Sequence, residues 1–209
     1  MKAFIIYLKE VQSTVNAALE CKQSAREHGI DAWLMEGHTP SRADQFLKEN
    51  NIKPYSPGAK IYDIKWNKPG VRGCFVSHYH AWKKCIELNH TIIVLEHDVK
   101  IVSEFPNINF TDILQLGYNK DGIEEYQDQE YFIESNNFTK KGIRMMDGAF
   151  AYAIQPDAAK RLIASSHNIG ACAADWHINE KTVNIDILRP RIALVDTTQS
   201  LTSDRNFNI

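Results

Sequence analysis

The chain has 209 residues, of which 44% are hydrophobic and 24% charged, and its formal net charge is −2. That length fits one domain with a sizeable core, and the composition excludes a disordered or low-complexity chain. The near-neutral charge gives no general reason to bind nucleic acid or an acidic membrane, and no apolar stretch approaches membrane-spanning length.

In chain order, Ala3–Leu8 is predicted as a strand. Its apolar run is too short for a signal peptide and leads directly into a polar helix. That helix covers Thr14–His28, with Ala17, Ala18, Cys21 and Ala25 on one face and Gly29 as its stop. Ala32–Glu36 reads as a second strand and Ser41–Asn50 as a short helix capped by Ser41. Asn51–Pro69, with Pro54, Pro57, Gly58 and Pro69, reads as an irregular loop. A helix from about Gly70 to Leu88 precedes a strand from Thr91. Asp112–Leu116 is predicted as a strand, Gly117–Lys141 as a long polar excursion, Ala149–Ile154 as a strand and Pro156–Ser165 as a helix. The β-α-β opening and the absence of a linker predict an α/β fold in one domain.

The helix before Thr91 puts Val71, Cys74, Phe75, His78, Trp82, Cys85 and Ile86 on one stripe. His78 sits mid-stripe, so its imidazole is either a satisfied core group or, with Ser77, a support for the strand end that follows. Thr91-Ile-Ile-Val-Leu95 has no polar alternation, which predicts a strand buried on both faces of a mostly parallel sheet. Glu96 and Asp98 follow at its carboxyl end, where open α/β sheets bind ligands. Two residues apart in extended geometry, they are expected to point the same way and could hold a divalent cation. Cys21, Cys74, Cys85 and Cys172 lack Cys-x-x-Cys spacing, so reduced thiols, no zinc site and a cytoplasmic location are expected. The basic run Lys60, Lys65, Lys68, Arg72, Lys83 and Lys84 reads as solvated surface, with an anionic acceptor as the alternative.

Taken together, Gly73-Cys-x-x-Ser-His-x-x-x-Trp82 and Val94-Leu-Glu-His-Asp-Val99 resemble the hallmark of glycosyltransferase family 25. That family includes lipooligosaccharide galactosyltransferases and collagen galactosyltransferase domains. Ala3–Lys9, Asp147–Leu162 and Ala174-Asp-Trp176 resemble its further segments in the right order. The resemblance implies a GT-A-like fold, with a donor half over about residues 1–100 and an acceptor half over about 101–209. It also implies inverting transfer of a sugar, hexose or pentose, from a nucleotide-sugar such as a UDP-sugar to an acceptor hydroxyl, helped by Mn²⁺ or Mg²⁺.

By that pattern Asp98 and Glu96 are the expected metal set, with Glu96 nearer the ribose or a metal-bound water. His97, a departure from it, is either a packed residue or a third, nitrogen ligand that shifts the choice towards Mn²⁺. Tyr7, Leu8, Ser77, His78, Glu96 and Asp98 are expected at the donor, and Asp175 is the expected base, with Asp147 as its alternative. The chain departs from the family's Glu-Asp-Asp in having Glu96-His97-Asp98, and from its first-strand basic pair in having Lys9-Glu10. Ser203-Asp204 resembles the family's closing segment.

The implied acceptor is a glycan such as lipooligosaccharide. The alternative is a hydroxymethylated base in DNA, read by the basic run with Tyr62, Trp66 and Tyr79. A non-catalytic nucleotide- or sugar-binding module and a metal-dependent phosphohydrolase are the readings of other classes. Oligomeric state is not encoded in any motif found.

Overall fold

The computed structural model describes residues 1–55, 63, 65–118, 130–140 and 142–195. The apolar run before Glu96 becomes β3 (Ile92–Glu96), and its lack of alternation has the expected cause. Ile92 and Val94 pack into one hydrophobic cluster, while Ile93 and Leu95 pack into another on the opposite face. β1 (Lys2–Tyr7) lies beside β3 and β2 (Asp31–Glu36), parallel to both. The sheet continues through β9 (Ala151–Ile154), β5 (Ile113–Gln115), β10 (Ile185–Arg189) and β6 (Phe132–Ser135). Its seven strands run in the order β2-β1-β3-β9-β5-β10-β6. Only β9 and β6 run against the others, giving the mostly parallel sheet of a GT-A-like α/β fold. Two small ribbons complete it: β4 (Val99–Ile101) with β11 (Ala193–Val195), and β7 (Thr139–Lys140) with β8 (Ile143–Arg144).

One face of the sheet carries α1 (Gln12–Glu27), whose Ala18, Cys21 and Ala25 join the cluster of Ile93 and Leu95. Gly29 ends it at φ 72°, with Gly29 N–H donating to Arg26 O and Ile30 N–H to Ala25 O. This double bond pattern needs a left-handed residue at the turn, and glycine adopts that conformation without a Cβ penalty.

The other face carries α2 (Pro40–Glu49), α3 (Pro69–Leu88), α4 (Pro156–Asn168) and α5 (Ala174–His177). The N-cap of α2 is Thr39, not the expected Ser41, because Pro40 takes the first helical position, where its missing N–H costs nothing. α3 lies between α2 and α4, so burial spreads beyond the predicted stripe to Val76, Ser77, Tyr79 and Ala81.

Three further expectations change. The segment 51–69 is not wholly irregular: Asp63, Lys65 and Trp66 are helical, and Pro54 bridges Ala171. The polar excursion of 117–141 contains β6, which pairs with β10 as the sheet edge. Glu96 and Asp98 do not share a side, because His97-Asp98 forms a turn between β3 and β4 and the alternation stops there. Lys60, Tyr62, residues 119–129 and Ser203-Asp204 lie outside the described residues.

His177 of α5 is buried on the α3 face, stacked on Trp82 at 5.6 Å and edge-on to Phe75 at 5.2 Å. Its Nε2–H donates to Leu162 O at 3.0 Å. Burial pulls its pKa down to about 4, against a smaller upward pull from that hydrogen bond. The unfolded chain takes up this proton near pH 6.5, whereas the folded protein resists it until about 4. Stability contributed by the neutral ring is therefore lost as pH falls between those values, on the order of 3 kcal/mol in total. His177→Gln should flatten the pH dependence of urea unfolding between pH 7 and 4.5 relative to wild type. Parallel curves for the two proteins would show that His177 does not titrate with folding.

Candidate functional site

The carboxyl ends of β1 and β3, the first turns of α3 and the β2–α2 connection border a half-open cleft. Tyr7, Leu8, Ser77, His78, Glu96 and His97 all line it, together with His38. Six of the residues expected at the site thus converge, at the sheet edge where α/β folds bind ligands.

The connection over the cleft is pinned by Ser77. Its Oγ accepts from His38 N–H at 2.8 Å and donates to Gly73 O at 2.7 Å. The backbone passes so close to α3 that a Cβ on Gly73 would lie 2.7 Å from His38 O. Glycine is therefore required there for space, which is the physical content of the Gly-Cys-x-x-Ser-His pattern.

Beneath the cleft runs a chain of buried polar groups. Trp82, Tyr152 and His78 are each fully enclosed. Trp82 Nε1–H donates to Tyr152 Oη at 2.9 Å, and the phenol lies 2.9 Å from His78 Nδ1. An indole N–H only donates, so the phenol accepts it; the phenol's own hydrogen then needs an acceptor, and among the described residues His78 Nδ1 is the one in reach. The proton of His78 then resides on Nε2, which donates to Glu96 Oε1 at 3.2 Å. Cys74 Sγ lies 3.5 Å from the same oxygen. Burial pushes the Glu96 carboxyl up, but the His78 hydrogen bond and the His78 and His97 rings outweigh it and hold the group below its usual range. Glu96 is an anchored carboxylate.

Cys74, His78 and Glu96 bring three donor atoms within 4.8 Å of one another, a spacing that a metal ion could use. Their protons argue otherwise. Burial first, then the charges of Glu96 and Asp175, push the Cys74 thiol well above its usual range. Metal on His78 Nε2 would move its proton to Nδ1 and leave the Tyr152 hydroxyl hydrogen without an acceptor. The trio is a hydrogen-bonded clamp on Glu96.

The other expected residues fall elsewhere. Asp98 is buried but does not line the cleft; its charge, after burial, helps push Cys21 of α1 up to about 12. Glu96 thus lines the cleft, whereas Asp98, in the turn beyond β3, does not. Asp175 lies in the first turn of α5, whose N-cap is Ala173, so it is not a capping residue. Both its oxygens bond Lys65 Nζ, at 3.0 and 2.9 Å, and its charge reaches Cys74 at the cleft wall. Asp147 lies between β8 and β9, where its carbonyl accepts from Gln115 Nε2 at 3.0 Å. In the basic run, Lys65, Arg72 and Lys84 pair with Asp175, Asp44 and Glu87. Trp66 and Tyr79 are buried against Phe75 and His167, so neither ring is available to stack a base.

Residues 2–178 match the profile of glycosyltransferase family 25, described as an LPS biosynthesis protein. The chain belongs to that family. The match spans the cleft, the clamp and Asp175, and it makes the protein a glycosyltransferase, with a sugar donor and an acceptor as its substrates. No curated protein gives a significant match. Among the described residues, no helix is long and apolar enough to cross a membrane.

In this glycosyltransferase, Tyr152 and the His38–His80 pair escaped sequence reasoning. A lone tyrosine inside the apolar strand Ala151–Ile154 was the available signal, since a buried hydroxyl needs a partner. His38 and His80 stack at 4.5 Å across α3 and the β2–α2 connection, a pairing no spacing reveals. Burial lowers both pKa values, that of His80 to about 4, so both rings are neutral near pH 7. Tyr152→Phe should cost about 1–3 kcal/mol, because Trp82 N–H and His78 Nδ1 both lose their partner. Its ¹⁵N spectrum should show His78 leaving the single Nε2–H tautomer. Wild-type stability with an unchanged His78 signal would disprove the hydrogen-bond chain.

Proposed function

We propose that this glycosyltransferase moves a sugar from a UDP-sugar to a hydroxyl of a glycan acceptor, with inversion at the anomeric carbon. The observation that carries the reading is the cleft at the ends of β1 and β3, with an ionised, clamped Glu96 in its wall. One Glu96 oxygen is held by His78, leaving Oε2 to accept from donor hydroxyls such as those of a ribose. Tyr7, Leu8 and the loop pinned by Ser77 flank that position and would bind the nucleoside. The donor half would then be about residues 1–100 and the acceptor half about 101–209. The description of the family as an LPS biosynthesis protein favours a glycan acceptor over DNA, as does the burial of Trp66 and Tyr79. Four free cysteines favour a reducing, cytoplasmic setting.

A metal ion would be held by the Asp98 carboxylate and the His97 imidazole rather than by the clamped trio, and a nitrogen ligand beside the carboxylate would favour Mn²⁺ over Mg²⁺. Bound there, it would act as a Lewis acid on the leaving diphosphate. The acceptor hydroxyl must lose a proton as its oxygen attacks the anomeric carbon and the bond to the diphosphate breaks. Asp175 is the proposed base, with Lys65 bonded to both of its oxygens and fixing its orientation; Asp147 is the alternative.

Thermal unfolding with UDP, GDP, CDP or ADP, with and without Mn²⁺, tests the donor and the ion. UDP with Mn²⁺ at about a hundred times Kd should stabilise by roughly 2.7 kcal/mol, a rise in Tm of a few degrees. Asp98→Ala should lose the Mn²⁺-dependent part; no shift with any nucleotide would defeat the donor reading. Asp175→Asn should retain UDP binding and lose transfer at least a hundredfold, in line with general-base catalysis. A transfer rate near wild type would move the role to Asp147.

A further inference from the structure

We infer that Arg191, supported by Arg189 and Tyr118, forms a subsite for an oxyanion, phosphate or carboxylate, carried by the acceptor. The assignment of this anion to the acceptor rests on the donor position proposed above. Tyr118 follows the end of β5, and Arg189 and Arg191 lie at and beyond the end of β10. These strands are parallel to each other and run in the direction of β1 and β3, so all three residues lie at the sheet edge that holds the cleft.

The two arginines face one buried ring. Arg189 Cζ lies 4.3 Å from the Tyr118 centroid and Arg191 Cζ 5.7 Å from it. Arg189 is neutralised by Glu134, with Nε 2.9 Å from Oε2. Arg191 is not. Its Nη1 donates to Tyr118 O at 2.9 Å, its Nε is enclosed without an acceptor, and no carboxylate lies within ion-pair distance among the described residues. Arg42, Arg72, Arg144 and Arg161 each have such a partner. Burial also pulls the Arg191 pKa below its usual value, although a guanidinium stays charged. A single hydrogen bond to a carbonyl does not require a guanidinium. A half-buried cation without a counter-ion is unfavourable, and a planar fork of donors matches a phosphate or carboxylate.

Position selects the acceptor. Ile192 N–H and Ala193 N–H bond Leu116 O, which returns the chain after β10 across the end of β5. Gln115 Nε2 donates to both Gly117 O and Asp147 O, joining this corner to the loop that carries Asp147. β5 is separated from β3 by β9 alone, so the end of β5, to which Arg191 is bonded through Tyr118 O, stands two strand spacings, roughly 10 Å, from the strand of Glu96. That separation leaves room for the transferred sugar between donor and anion.

The test is an NMR titration of ¹⁵N-labelled protein with inorganic phosphate, following the arginine Nε–H signals, beside a UDP titration. Phosphate should shift the Arg191 signal saturably and leave that of Arg72, which is paired with Asp44, in place. Arg191→Gln should weaken phosphate binding at least tenfold and change UDP affinity by less than twofold, and Arg191→Lys should fall between. An Arg191 signal unmoved by phosphate, or equal phosphate binding by Arg191→Gln, overturns the site. Equal weakening of UDP and phosphate overturns its assignment to the acceptor and gives the anion to the donor diphosphate. If Arg191→Gln does not fold, the wild-type contrast between Arg191 and Arg72 decides. Failure of UDP to bind wild type would defeat the donor reading while leaving phosphate at Arg191 intact.

Discussion

The site depends on a proton count. Trp82, Tyr152 and His78 are sealed from water, so each hydrogen among them must find an acceptor inside the protein. Only one arrangement satisfies all of them: indole to phenol, phenol to imidazole, imidazole to Glu96. That arrangement ties α3 to β9 and β3 and fixes which nitrogen of His78 carries its proton. It also leaves Glu96 as an anion at the cleft. A polar chain buried this deeply specifies a geometry as well as contributing stability, because breaking any link leaves two unsatisfied groups.

The turn after β3 then separates the two carboxylates. Side chains on the α3 side of β3 lead to Glu96 and the thiol of Cys74, whereas Asp98 is felt on the α1 side by Cys21. The turn at His97-Asp98 makes this division. It separates the clamped carboxylate, proposed to meet the donor's hydroxyls, from the residues proposed to meet a cation. The high pKa values of Cys21, Cys74 and Cys85 follow first from burial, so these thiols are packing groups and not nucleophiles.

The same edge of the sheet carries two kinds of surface. Around β1 and β3 it is a cleft with one anchored anion and the His38 imidazole, whose pKa burial lowers. Around β5 and β10 it is cationic, with Arg189 and Arg191 about Tyr118. A strand that runs antiparallel, β9, lies between them and presents its amino end at this edge. The loop leading into β9 brings Asp147 beside the cationic corner, so the corner adjoins one of the two candidate bases.

Local pattern alone determined the framework. Unalternating apolar residues in Ile92–Leu95 required a strand covered on both faces, and the apolar stripe and Gly29 located α3 and the end of α1. Those signals are legible because side-chain period and backbone conformation are properties of neighbouring residues. The resemblance in Ala3–Lys9, Gly73–Trp82 and Val94–Val99 likewise located six of the cleft residues. Tertiary structure decided the rest. The turn after Glu96 broke the two-residue alternation on which a shared Glu96–Asp98 face depended. Tyr152 meets His78 across 74 positions and Lys65 meets Asp175 across 110. Contacts at such separations are set by how helices and strands stack around the two cores, and a single sequence carries no periodic trace of them.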